Sequence, residues 1–123
     1  MSEKAQQLLD RTFWFGVSVL KFLRKLPDNY IDRVPKGQVA RSSASIGANY
    51  EEAQGAVSKR DFTNKIGICF REARESVYWL RILKELFPEE SYKKDFNNLI
   101  LEATELKKIF SSIKKSSSEN PNR

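Results

Sequence analysis

RSSASIGANYEEAQG, residues 41–55, decides how the rest of the chain is read. It contains no proline and ends on Gly55, a good C-terminal stop, so it reads as the end of a helix. At helical spacing Ala40, Ala44, Gly47, Ala48 and Glu51 share one side, and Val39, Ser43, Ile46, Tyr50 and Ala53 form the neighbouring ridge. Bundle helices usually turn Leu, Ile or Phe inward. Small side chains in their place predict that another helix approaches closely. Asn49, Glu51 and Glu52 crowd the last turns, where the helix dipole disfavours a carboxylate. Two readings follow for them: a specific partner such as an arginine or a backbone amide, or plain solvent exposure.

Working outward, Pro35 suits the first turn of this helix, which is therefore expected from Pro35 to Gln54. PDNYIDRVPKG, residues 27–37, reads as the loop before it. A first helix is expected from Glu3 to Leu26. Leu9, Phe13, Gly16, Val17, Leu20 and Leu23 fall on one face, and Leu8, Phe15, Val19, Phe22 and Leu26 make a second, adjacent ridge. Downstream, Ser58 with Asp61 three residues on is a capping-box-like start. Phe62, Ile66, Cys69, Ala73, Val77, Leu80, Leu83 and Phe87 then recur at helical spacing until Pro88. A fourth helix is expected from Glu89 to Lys114, with Tyr92, Phe96, Leu99, Ala103, Leu106, Phe110 and Ile113 alternating by four and three. No segment alternates as a strand does. The pattern predicts an all-α, antiparallel up-down-up-down four-helix bundle spanning residues 1–115, followed by a disordered polar tail over 116–123.

Composition narrows the chemistry. The chain has 123 residues, enough for one domain with its own core. It has no histidine and a single cysteine, Cys69. Serine or cysteine triads, the usual zinc sets and the Glu-x-x-His di-iron motif of helical bundles cannot be assembled from these residues. The five glycines are scattered, so no phosphate-binding loop is present. No catalytic residue, metal ligand or cofactor is therefore expected. Without an apolar run of membrane-spanning length or a signal peptide at the N-terminus, a cytoplasmic protein with no membrane contact is expected.

There are 22 Lys and Arg against 16 Asp and Glu, a formal charge of +6, which favours polyanions. Arg60, Arg71, Arg74 and Arg81 occupy one arc of the third helix with Tyr78 among them. A charged arc opposite a core is commonly just a solvated face. Arginines interleaved with an aromatic also suit phosphates and bases. Lys107, Lys108, Lys114 and Lys115 add charge to the fourth helix, a placement that the helix dipole also explains. Ile68, Trp79, Ile82 and Leu86 lie on the third helix's other flank, beside Glu72 and Glu75. That flank either widens the core or forms an interface between subunits. Glu72 and Glu75 are the one carboxylate pair suited to acid–base work. In the absence of a histidine or a cleft signal they more simply answer arginines such as Arg41, Arg71 or Arg74, and set helix register.

Arg41 to Ala53, with its small-residue run, resembles the second helix of the four-helix-bundle proteins encoded in intervening sequences of bacterial 23S ribosomal RNA genes. Asp61 to Leu83, DFTNKIGICFREARESVYWLRIL, is similar to that family's third helix. One departure is visible: the family's Asn-Ile-x-Glu-Gly stands here as Asn49-Tyr50-Glu51-Glu52-Ala53, with Gly55 two positions later. The resemblance implies a ring-like homo-oligomer, a homopentamer. Through the accessory variability proteins of diversity-generating retroelements, it also implies nucleic acid, RNA or DNA, and a reverse transcriptase as partners. It implies no ribosome membership. Arg41, Asn49, Glu52, Glu72 and Glu75 become the expected structural polar motif. The functions in view are a non-enzymatic, oligomeric nucleic-acid-binding protein or, alternatively, a protein-interaction scaffold with no nucleic-acid ligand.

Overall fold

The computed structural model describes residues 1–119. It consists of four helices, α1 (Glu3–Leu23), α2 (Arg33–Gln54), α3 (Lys59–Leu86) and α4 (Glu90–Glu119), with no strand among the described residues. Each start has a local cause. Ser2 caps α1 by accepting from the Ala5 N–H, and Ser58 caps α3 by accepting from the Asp61 N–H at 3.0 Å. The Asp61 carboxylate reaches back to the Val57 N–H, one residue outside the usual capping box. Gly55 follows α2, and its N–H closes on the Glu52 carbonyl.

Consecutive helices pack against one another, and α1 also meets α4. The core runs through Val19, Phe22, Val39, Ile46, Ile66, Leu80, Leu83, Phe96, Leu106 and Phe110. Phe22 meets Phe96 edge-on with ring centroids 4.7 Å apart, and Tyr50 meets Phe110 at 5.5 Å. The apolar sets of the third and fourth helices are buried or half-buried as their spacing predicts.

One open choice is settled and two expectations are corrected. In α1 the second ridge, Phe15, Val19, Phe22 and Leu26, is the buried one, while Phe13 and Leu20 face outward. Phe22 meets the rings of Phe96 and Tyr92 of α4, whereas the Phe13 ring edges an open groove between α1 and α2 and pairs edge-on with its neighbour Trp14. Helix ends also shift. Regular helix stops at Leu23, with Lys25 and Leu26 closing a final turn, and α2 begins at Arg33, two residues before Pro35. Finally, Ser116 to Glu119, expected in the disordered tail, are helical. Thr63 and Ser117 share a hydrogen bond that ties this extension to α3. The rest of the expected tail, residues 120–123, lies outside the described residues.

The small residues of α2 meet α1. A Cβ on Gly16 would lie 3.5 Å from the Ala44 Cα, and one on Gly47 would lie 3.2 Å from the Thr12 hydroxyl. Backbone therefore nears backbone where α1 and α2 cross. No helix among the described residues is long and apolar enough to cross a membrane.

Candidate nucleic-acid interface

Arg60, Arg71, Arg74 and Arg81 are exposed along one face of α3. None forms an ion pair among the described residues. Arg11, Arg33 and Arg41 behave differently. Arg11 grips Glu102 through two hydrogen bonds of 2.7 Å, and Arg33 grips Asp28 through two, of 2.9 and 2.6 Å. Among the described residues one cation–π contact involves the arginines of α3: the Arg74 guanidinium stands 5.5 Å from the Phe70 ring centroid.

The lysines of α4 divide. Lys114 crosses α3 at Gly67, where its side chain would lie 3.5 Å from an added Cβ. It joins the arginine face, and Gly67 supplies the room. Lys107 is seven residues earlier on α4, so it lies on the same side two turns along. Lys108 does not join them: it lines a groove with Lys4 and Arg11 near the start of α1, 3.8 Å from Glu105. Lys115 is seven residues beyond Lys108 and shares its side of α4. The eight basic residues singled out in sequence therefore fall into one face on α3 with Lys107 and Lys114, and a separate pair.

The polar motif sits between α2 and α3. Arg41 donates to Glu72 at 2.8 Å and to Glu75 at 3.2 Å. The Glu72 side chain is 7% exposed and Arg41 is half exposed, so the pair stands at the edge of the core. The Glu75 and Glu72 carboxylates hold the Arg41 guanidinium above its ordinary pKa. Beneath them the Ser42 and Ser76 hydroxyls meet at 2.8 Å, and the Cys69 thiol donates to the Ile46 carbonyl. Burial pushes that thiol up to about 12. Glu52 pairs with Lys65 at 3.3 Å. Asn49 donates to the Ser45 carbonyl of its own helix and makes no cross-helix hydrogen bond among the described residues. Among the described residues no cluster of three His, Cys, Asp or Glu could hold a metal ion.

The flank with Trp79, Ile82 and Leu86 opens onto a groove that also takes in Tyr30 and Ile31 from the segment before α2 and Val34 from its first turn. Ile68, half-buried farther up α3, is not part of it. Sequence reasoning missed Tyr30, Ile31 and Val34, all strongly exposed, because they sat in what read as a plain loop. It also missed the outward patch of α1: Phe13 is 60% and Trp14 59% exposed, with rings edge-on at 5.1 Å. Both patches could have been noticed as apolar residues left over once one face of each helix is assigned to the core.

A comparison with curated proteins finds no match. Among solved structures, the chain is similar to a protein of unknown function from the S23 ribosomal protein family of Bacteroides thetaiotaomicron. The two share 32% identity over 91% of this chain and 98% of that one, with a TM-score of 0.80. The profile of the family described as 23S rRNA-intervening sequence protein matches residues 4–112. With a match over nearly the whole bundle, the chain belongs to the 23S rRNA-intervening sequence protein family.

Proposed function

We propose that this is a non-enzymatic, oligomeric protein that binds RNA or DNA through the exposed face of α3. The observation that carries the reading is the set of unpaired arginines, Arg60, Arg71, Arg74 and Arg81, joined by Lys114 at Gly67. Guanidinium groups without carboxylate partners bind phosphate without first breaking an internal pair. Among the described residues the one buried carboxylate, Glu72, is bound to Arg41, which argues against a catalytic role for it.

Contacts between neighbouring helices support the up-down-up-down order. Thr12 lies by Gly47 and Gly16 by Ala44; Ser42 meets Ser76 and Glu52 meets Lys65; Thr63 meets Ser117 and Gly67 meets Lys114. In each pair of helices, later residues of one meet earlier residues of the other.

Two dissimilar apolar patches, Phe13 with Trp14 and Tyr30 with Trp79 and Leu86, support head-to-tail assembly, which closes into a ring such as a pentamer. A ring would repeat the arginine face in every subunit and raise its avidity. A reverse transcriptase partner rests on the resemblance to retroelement accessory proteins alone, and co-purification with such an enzyme tests it. The same apolar patches favour the second reading, a protein-interaction scaffold with no nucleic-acid ligand.

The test is binding as a function of salt. Affinity should fall steeply as salt rises. Replacing Arg71, Arg74 and Arg81 by alanine should flatten the log–log slope by about 2 to 3 and leave folding intact. Salt-insensitive binding, or an unchanged slope in the triple variant, would refute the arginine face. Light scattering on the eluted peak tests assembly, and a single species of 14.3 kDa would refute it.

A further inference from the structure

We propose that the groove between α3 and α4 beside Tyr78 takes one unstacked base of a single-stranded nucleic acid whose phosphates run along the arginine face; this rests on the nucleic-acid reading above. The groove has a volume of about 540 Å³, in the range of about 300–1,000 Å³ typical of small-molecule sites. Its floor is apolar, made by Ile82 and Leu86 of α3 and Ile100 of α4.

Tyr78 is 56% exposed and stands among the unpaired arginines. Trp79 braces it edge-on, with centroids 5.1 Å apart and planes 78° apart, and the exposure of Tyr78 leaves ring surface for stacking. Asn97 lines it from α4, exposed, and its amide is in no side-chain hydrogen bond among the described residues. An amide offers a donor and an acceptor together, which is what the edge of a base requires. Arg81 and Lys84 stand at the rim, neither in an ion pair among the described residues. Glu85 is the one carboxylate there; two cations outnumber it, and it can accept from an exocyclic amino group.

Arg71, Arg74 and Arg81 span ten residues of α3, about 15 Å along the axis. A strand laid along them brings its phosphates past the groove. A duplex meets the same arginines with its bases paired and stacked, and has no free base to place beside Tyr78.

The experiment is fluorescence anisotropy on three labelled oligonucleotides of equal length: a single strand, its blunt duplex and an abasic single strand. The single strand should bind most tightly. Tyr78→Ala should weaken it by about 5- to 150-fold and leave the duplex and abasic affinities unchanged, and Tyr78→Phe should restore binding. Asn97→Ala should reduce discrimination between bases. Ribose and deoxyribose versions identify which kind of strand is preferred.

Equal affinity for abasic and intact strands, or an unaffected Tyr78→Ala variant, would overturn the base pocket. If the triple arginine variant still loses binding in that case, the arginine face survives. Failure of every oligonucleotide to bind near physiological salt would overturn both. A Tyr78→Ala variant that weakens all three ligands equally and melts earlier would assign Tyr78 a structural role and also overturn the pocket.

Discussion

Replacing Gly47 by alanine sets two opposed effects against each other. In a helix interior, alanine is better than glycine by about 1 kcal/mol. Against that, the new Cβ would lie 3.2 Å from the Thr12 hydroxyl, 3.3 Å from the Thr12 carbonyl carbon and 3.4 Å from the Phe13 nitrogen. Two of these atoms belong to the α1 backbone and cannot rotate aside. The third is held by its own hydrogen bond, in which the Thr12 hydroxyl donates to the Leu8 carbonyl at 2.9 Å. Inserting a methyl into such a contact costs about 1–3 kcal/mol. Gly47→Ala should therefore be neutral to destabilising, by about 0–2 kcal/mol once the propensity gain is subtracted.

Gly37, in the same helix, is the control. An added Cβ there meets nothing within 4 Å, and neither glycine has a positive φ. Gly37→Ala should stabilise by about 0.5–1 kcal/mol. The difference between the two variants isolates the steric cost, about 1–3 kcal/mol or several degrees in Tm. Urea and thermal denaturation followed by circular dichroism, at one protomer concentration, measure it. If Gly47→Ala stabilises as much as Gly37→Ala, then α1 and α2 are not in close contact and the reading of the small residues fails.

Arg41→Met should destabilise by about 1–3 kcal/mol, below the usual cost of orphaning a buried charge because water reaches Arg41; most of this should return in the Arg41→Met, Glu72→Met double variant, and additive losses in a double-mutant cycle would refute the coupling. Ser58→Ala should cost about 1 kcal/mol through loss of the α3 cap, with Ser58→Asp restoring it; urea midpoints that do not move would refute the capping role. Cys69 should resist thiol reagents until the chain unfolds. Its thiol ionises near 9.0 when unfolded and near 12 when folded, so the unfolded chain sheds its proton first. Stability should fall as pH rises through that window, by up to about 1.4 kcal/mol per pH unit, and Cys69→Ala should flatten the fall; identical pH profiles would contradict it.

Sequence by itself determined the number and order of helices, because apolar spacing, Pro88, Ser58 and Gly55 act locally and need no partner to be read. It also identified the residue types of the candidate site: the arginine arc, the lysines of the last helix, and carboxylates suited to answer an arginine. Which atoms meet was a different matter. The two ridges of α1 are almost equally apolar, and only the arrival of Phe96 and Tyr92 from α4 decided that Phe22 and its row would be buried. Glu72 and Glu75 had several arginines to answer, Arg41, Arg71 and Arg74 among them, and the packing of α2 on α3 selected Arg41. Lys107 and Lys108 are adjacent in sequence, yet one helical step of about 100° sends them to different faces of the bundle. Ser116 to Glu119 carry little helical signal of their own and are held by the contact of Ser117 with Thr63. Local rules decide where a helix starts and stops, whereas the choice between two apolar faces, or among several arginines, depends on which other helix arrives, and that is a property of the whole fold.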